Sequence, residues 1–444
     1  MTDVRPPGEA FVQGLFDEDR GVVPTALRTA AFDDPGPVRV LTERYTSRAY
    51  HDLEVERLWK RVWQMACREE DIPDVGDYVV YDVADISLLV VRSAPGRIQA
   101  FHNSCLHRGT QLRSGVGHSD ELRCPFHGFT WRLDGSLSRI PCQWDFPQVD
   151  PATFCLPEAR VGTWGGFVFV NVDPAAPSLE EYLEILPAHF REWPLEDRYK
   201  TAHVVRTVAC NWKVAVEAFI EAYHTVAVHP QLLRTTGDSM TEYDVWADSA
   251  HISRMITPVG VPSEHMERAV SDEEIIGLMF STQDAPPGPG ASARQVIADS
   301  IRRTVSSEAG RDVAMSDAEA VDAVEYFVFP NFMPWPSYTT PLVYRFRPNG
   351  NDPDSSIVDI MLLQPVPASG RPPAAPMHVL GPGETYLDAP EMGYIGRILN
   401  QDFSTMPRVQ RGLRASQQRE LTLAHYQESR IRHFHATLAS YVGS

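Results

Sequence analysis

The sequence predicts an α+β protein: a small all-β domain, then a larger domain in which an antiparallel sheet is covered by helices. Three observations lead there. Between Tyr78 and about Val172, short β-rich runs alternate with turn signals. Strand-like runs return between Tyr199 and Gln364 at wider spacing. From Glu391 to Thr437 the pattern is mostly helical. At 444 residues the chain exceeds one small core and fits about two to three domains.

Taken in order, residues 1–40 are rich in Pro, Gly and Asp and read as an irregular arm, with a short helix near Phe11–Glu18. Over residues 52–66, Leu58/Val62 and Trp59/Trp63 are i,i+4 pairs and predict an amphipathic helix, ended by Asp71, Pro73, Asp74 and Gly76. Strands are expected at Tyr78–Val83, Ser87–Arg92, Ile98–His102, Thr130–Leu133 and Gly166–Val172, with a hairpin turn at Asp134-Gly135. A helix at Leu179–Phe190 and a strand at Tyr199–Cys210 follow. Residues 240–260 read as sheet. Helices at Glu273–Phe280 and Ala293–Val305, split by a linker at 284–290, read as a lid or insertion spanning 264–325. Strands at Tyr326–Phe332, Leu342–Arg347 and Ile357–Gln364 complete the sheet. The domain reading is 1–70 as an arm and helix packed on the larger domain, 71–172 as the β domain, and 173–444 as the larger domain.

Composition narrows the function. Hydrophobic content of 43% and charged content of 22% suit a soluble globular chain. A net charge of −19 argues against nucleic acid, whose phosphates need Lys and Arg. No apolar run approaches the roughly 20 residues of a membrane span, and MTDVRPPGEA lacks the apolar core of a signal peptide. A cytoplasmic location is expected. Six cysteines at this length do not make a disulfide framework, and Cys67, Cys142, Cys155 and Cys210 read as buried free thiols.

Two constellations carry chemistry. Cys105-x-His107 and Cys124-x-x-His127 are separated by sixteen residues. Two loops would each offer one thiolate and one imidazole. Such a set suits either zinc or a [2Fe–2S] cluster in which His replaces Cys on one iron. Gly109 and Gly128 follow the two histidines closely, where backbone can turn tightly. His102 does not fit the spacing. The second constellation is NWKVAVEAFIEAYHTVAVH at 211–229. On a helix Glu217, Glu221 and His224 share a face. His224 and His229 are five apart, about 500° on an ideal helix, so they reach one metal only if the helix breaks before Pro230. The plain alternative is a helix with two satisfied histidines.

CLHRG at 105–109 and CPFHGFTW at 124–131 resemble the Rieske proteins. NWK…E…ExYH…H resembles the iron motif of Rieske non-haem iron oxygenases, the large (alpha) subunits of ring-hydroxylating dioxygenases and related monooxygenases and demethylases. The resemblance spans about residues 45–435. It implies a Rieske domain followed by a helix-grip-like catalytic domain. It implies that Cys105 and Cys124 bind one iron of the cluster, and His107 and His127 the other. It also implies a mononuclear Fe(II) on His224, His229 and a carboxylate. NQDFSTMPRVQRGL at 400–413 looks like the late helix that supplies this carboxylate, which selects Asp402 ahead of Asp388 and Glu391. Glu221 matches the carboxylate that links the cluster of one subunit to the iron of the next, which implies a homotrimer, with or without small β subunits. Many ring dioxygenases carry Asp there; Glu221 looks more like the homotrimeric amine monooxygenase branch. Asn211 is placed with Glu221 among the catalytic residues, Tyr223 lies beside them, and Glu217 reads as structural.

No Gly-rich dinucleotide fingerprint follows a strand. A separate NAD(P)H-dependent flavin reductase, with or without a ferredoxin, is therefore expected to reduce the cluster. The expected reaction is hydroxylation of an aromatic or otherwise apolar substrate by O₂. Demethylation or hydroxylation of a quaternary amine or methoxy compound is the alternative. A Rieske electron carrier without oxygenase activity is the reading from another class. Trp335 and Tyr338, in the aromatic FVFPNFMPWPSY run at 327–338, are candidates for the pocket.

Overall fold

The computed structural model describes residues 6–279 and 290–443. The chain divides into two compact units, one of 51–182 with 348–352, the other of 1–50, 183–347 and 353–444. No helix among the described residues is long and apolar enough to cross a membrane.

Between its opening helix and the helix that begins at Leu179, the first unit is built on β-strands. Its seven-stranded sheet runs Gln64–Arg68, Phe167–Asn171, Glu158–Trp164, Arg97–His102, Ile86–Ala94, Asp77–Val83, Val116–His118. A three-stranded sheet joins Leu122–Arg123, Thr130–Trp131 and Leu137–Arg139. Asp134-Gly135 turns the second hairpin, with Arg132 N bonded to Ser136 O at 2.8 Å and Gly135 at φ +80°. A Cβ on Gly135 would lie 2.5 Å from the Phe101 ring, so both conformation and space require glycine there. Leu89, Phe101, Leu122, Phe129, Trp131 and Leu156 form the core around Cys105 and Cys124.

The helix expected at 52–66 is corrected. Helix Arg48–Glu54 passes into one π turn, Val55–Trp59, and stops. Gln64–Arg68 is a strand paired with Phe167–Asn171, with all five residues buried. Sheet pairing has overridden the helical spacing. This pairing also ties the segment to the β unit, so the division falls at 50/51 and not at 70/71.

The second unit holds an eight-stranded sheet in the order Glu242–Val245, Ile252–Thr257, Ala323–Val328, Phe332–Pro334, Leu342–Asn349, Asp352–Pro365, Arg198–Val208, His378–Val379. Arg198–Val208 is antiparallel to Asp352–Pro365 and parallel to His378–Val379, a departure from a purely antiparallel sheet. Helices Ile395–Ala415 and Ser429–Val442 supply the late helical region. The expected helix at Leu179–Phe190 is split into Leu179–Leu183 and Leu186–His189 by Glu184 at φ +50°.

Within 264–325, helix Ala293–Ala309 begins at a Ser292/Gln295 capping box and ends at Gly310, φ +62°. It forms a core of its own with Ile275, Val313 and Val321. Arg294 pairs with Asp322 at 2.6 Å, and Arg20 with Asp317 at 2.8 Å. These bonds fasten the insertion to its unit. Most of the linker expected at 284–290 lies outside the described residues.

Candidate metal centres

Asn211 caps helix Trp212–Glu217, its Oδ1 accepting from Lys213 N at 3.1 Å and its Nδ2 donating to Pro353 O at 2.8 Å. The helix then stops. Residues 218–224 run as turns, a short helix covers Thr225–Val228, and His229 follows at φ −124°. The helix does break before Pro230, but the break lies ahead of His224, and Thr225–Val228 between the two histidines is helical. Glu217, Glu221 and His224 therefore share no helix face. Glu217 instead accepts from Tyr45 OH at 2.8 Å and is paired with His435 Nε2 at 2.7 Å.

What the turns accomplish is convergence. One ligand atom each from His224, His229 and Asp402 lies within 4.8 Å of the others. His229 Nε2 sits 2.7 Å from Asp402 Oδ1, and His224 Nε2 sits 3.5 Å from the same oxygen. The other ring nitrogens are engaged. His224 Nδ1 faces Glu221 Oε1 at 2.7 Å, while His224 N donates to Glu221 Oε2 at 2.9 Å. His229 Nδ1 faces Gln401 Oε1 at 3.0 Å. A proton on each Nδ1 leaves both Nε2 lone pairs toward Asp402, the tautomer a metal requires. Two imidazoles and a carboxylate are a donor set that fits Fe(II) with open positions. Asp388 and Glu391 do not join it: Asp388 accepts from Thr385 N at 2.8 Å, and Glu391 pairs with His378 at 2.6 Å. Gln401 and Gln231, which bond each other at 2.6 Å beside His229, were not read from the sequence. The NQD run held the signal for Gln401, immediately before Asp402.

Burial opposes a proton on His224, but the Glu221 carboxylate, then that of Asp402, outweighs it and raises the imidazole to about 9. A metal must displace that proton. Apparent Fe(II) affinity of the metal-free protein is expected to rise with pH, up to about a hundredfold between pH 7 and 9, and to flatten above the imidazole pKa. Anaerobic calorimetric titration across this range checks it, and a flat profile contradicts it.

An aromatic group adjoins the site. The Phe219 ring lies 4.8 Å from Tyr344, 5.7 Å from Phe346 and 5.9 Å from Phe403, next in chain to Asp402. Trp335 reaches this group through Tyr344, at 5.9 Å. Tyr338 is taken up elsewhere, under the Arg198 guanidinium at 4.8 Å. Tyr223 is exposed.

In the β unit, the two Cys/His loops have the same construction. Gly109 N bonds Cys105 O at 2.8 Å and Gly128 N bonds Cys124 O at 3.2 Å, both glycines at φ +74°. The thiols of Cys105 and Cys124 are buried, as are Cys67 and Cys210, whereas Cys142 and Cys155, expected to be buried, are exposed. Burial raises the Cys105 thiol against the pull of the His107 and Arg108 N–H groups. At Cys124 burial is outweighed by the N–H groups of Phe126 and His127, which favour a thiolate. The His107 and His127 rings lie 4.7 Å apart on the more open side, His107 stacked on Phe129. Two buried sulfurs ringed by N–H groups, with two outer imidazoles, fit the [2Fe–2S] donor pattern. His102 ends its strand, with its N bonded to Pro157 O at 2.9 Å, and stands outside the set.

Residues 62–150 match the Rieske [2Fe-2S] domain, and residues 188–444 match the family described as ring hydroxylating alpha subunit (catalytic domain). The chain belongs to the Rieske oxygenase alpha-subunit family. Among curated family members, it is 29% identical over 194 residues to the glycine betaine monooxygenase oxygenase subunit of Pseudomonas aeruginosa, 43% of this chain and 44% of that one. It is 33% identical over 222 residues to the chlorobenzene dioxygenase subunit alpha of a Cupriavidus species, 48% and 45% of the two chains. The matches thus span about half the length of these relatives. In fold, this alpha subunit aligns with naphthalene 1,2-dioxygenase bound to indole at TM-score 0.65 and 18% identity, over 93% of both chains. It aligns with a quaternary ammonium Rieske monooxygenase bound to L-carnitine at TM-score 0.63 and 18% identity, over 92% and 96%.

Proposed function

We propose that the chain is the terminal oxygenase of a multicomponent Rieske system, hydroxylating an aromatic or otherwise apolar substrate with O₂. The observation that supports it most is the convergence of His224, His229 and Asp402 beside the Phe219–Tyr344–Phe403 group. In this reading those three residues hold Fe(II), and Cys105, Cys124, His107 and His127 hold the cluster. When bound, the iron supplies a site for O₂ activation, with electrons arriving through the cluster. The chain's residues do the rest. Glu221 and Gln401 fix the ring orientation of the two histidines. Phe219, Tyr344, Phe346 and Phe403 present an apolar wall that excludes water and receives a hydrocarbon face.

Partners follow from the same reading: a flavin reductase using NAD(P)H, with or without a ferredoxin, in a cytoplasmic setting. Assembly is a homotrimer, with or without β subunits, in which Glu221 faces the neighbouring subunit's cluster. A second reading, demethylation or hydroxylation of a quaternary amine, draws on Glu in place of Asp at 221 and on the glycine betaine relative. Turnover of a panel of arenes and quaternary amines with ¹⁸O₂ tests both. Hydroxylated arene carrying ¹⁸O is the expected result. Formaldehyde release from an amine, with no arene product, would overturn the first reading in favour of the second.

A further inference from the structure

Residues 218–224 lie outside any helix, so their buried backbone groups need partners from elsewhere. Two side chains supply them on either side of Glu221. Arg430 Nη1 donates to Ile220 O at 3.3 Å, and Tyr243 OH accepts from Ala222 N at 3.0 Å. Both anchors are buried and themselves held. Arg430 Nε donates to Ser253 Oγ at 3.1 Å, and its Nη2 lies 3.0 Å from Glu325 Oε1, a charge contact set out of line for a hydrogen bond. Tyr243 OH donates to Gln427 Oε1 at 3.1 Å, and Gln427 Nε2 donates to Ser239 O at 2.9 Å. Three neighbouring strands and the last helix thus converge on one irregular turn. A fully buried arginine is costly to desolvate unless paired, and here its pairing ends on the backbone beside Glu221.

We propose that Arg430 and Tyr243 are positioning residues for the metal site: by holding Ile220 O and Ala222 N they fix the Glu221 carboxylate, which in turn fixes His224. The proposal rests on His224 as a metal ligand. It does not require either anchor to touch metal or substrate. Removing the Tyr243 hydroxyl leaves the ring packed but frees Ala222 N, and Glu221 then holds the imidazole less firmly.

The test compares Tyr243→Phe with Tyr326→Phe. Tyr326 is a second buried tyrosine, whose hydroxyl faces His189 at 3.0 Å and Arg254 at 3.3 Å. Co(II) is the probe, titrated into metal-free mononuclear sites with the cluster intact, and thermal melting is recorded alongside. Tyr243→Phe is expected to weaken Co(II) binding by about ten- to a hundredfold and to alter the Co(II) visible bands, with the cluster spectrum unchanged. Tyr326→Phe is expected to shift melting by a similar amount and leave Co(II) affinity alone. Arg430→Lys, which keeps a cation beside Glu325, is expected to bind Co(II) more tightly than Arg430→Gln. Wild-type affinity and bands in Tyr243→Phe, or losses that track melting in both tyrosine variants, would overturn the proposal. A His224→Ala variant that binds Co(II) like the parent would instead overturn the ligand assignment, and the proposal with it.

Discussion

Asp402→Ala is expected to abolish turnover while leaving the cluster's visible spectrum intact. Asp402 is buried on helix Ile395–Ala415 and, among the described residues, is the carboxylate that groups with both histidines, at 2.7 and 3.5 Å from their Nε2 atoms. Its loss leaves two imidazoles, too few donors to hold Fe(II) facially. Iron content should fall from about three to about two atoms per chain, and turnover by about a thousandfold or more, a barrier increase of at least ~4 kcal/mol. Iron analysis beside an absorption spectrum checks both parts. A variant that kept three irons would move the ligand elsewhere.

The second large effect is expected at Glu221→Gln. The parent carboxylate accepts from both the N and the Nδ1 of His224. An amide keeps one acceptor and turns its other end into a donor facing the His224 N–H. Fe(II) affinity should weaken by about ten- to a hundredfold. The His224 imidazole should also fall from its raised value, because the carboxylate that favours its proton is gone. With iron restored by excess metal, the cluster is expected to stay reduced on mixing with O₂ and substrate if Glu221 links the centres as proposed. Stopped-flow absorbance follows this directly. Cluster reoxidation at the parent rate would confine Glu221 to holding His224.

What the sequence disclosed depended on whether a signal was local. The two Cys/His loops each occupy five or so contiguous residues, so their spacing alone restricted the chemistry. Strand positions in the β unit followed from short β-rich runs between turns. The helix written through residues 64–66 failed because a five-residue strand with no exposed face looks helical until its partner, Phe167–Asn171, is known. Asn211 is a different case. Its place at the head of the motif suggests chemistry, whereas its side chain caps the helix and both its polar ends are used there. Asp402 could not be reached by spacing at all, since 173 residues separate it from His229, and only the resemblance singled it out. Phe219 and Tyr344 escaped notice because apolar residues on irregular or sheet segments give no periodicity that distinguishes a pocket wall from a core.

Pro407 lies inside the helix that bears Asp402. A proline there supplies no N–H, so the Phe403 carbonyl, next to the metal carboxylate, lacks its main-chain donor. The preceding carbonyls of Gln401 and Asp402 also accept side-chain hydroxyls, from Ser404 and Thr405, each at 2.7 Å. The missing bond lies between the turn that carries Asp402 and the part of the helix anchored through Gln410 and Arg414 to Asp354. If Asp402 holds iron as proposed, its carboxylate stands one residue from a carbonyl left without its helix bond, while Glu221 and Gln401 hold the rings of His224 and His229.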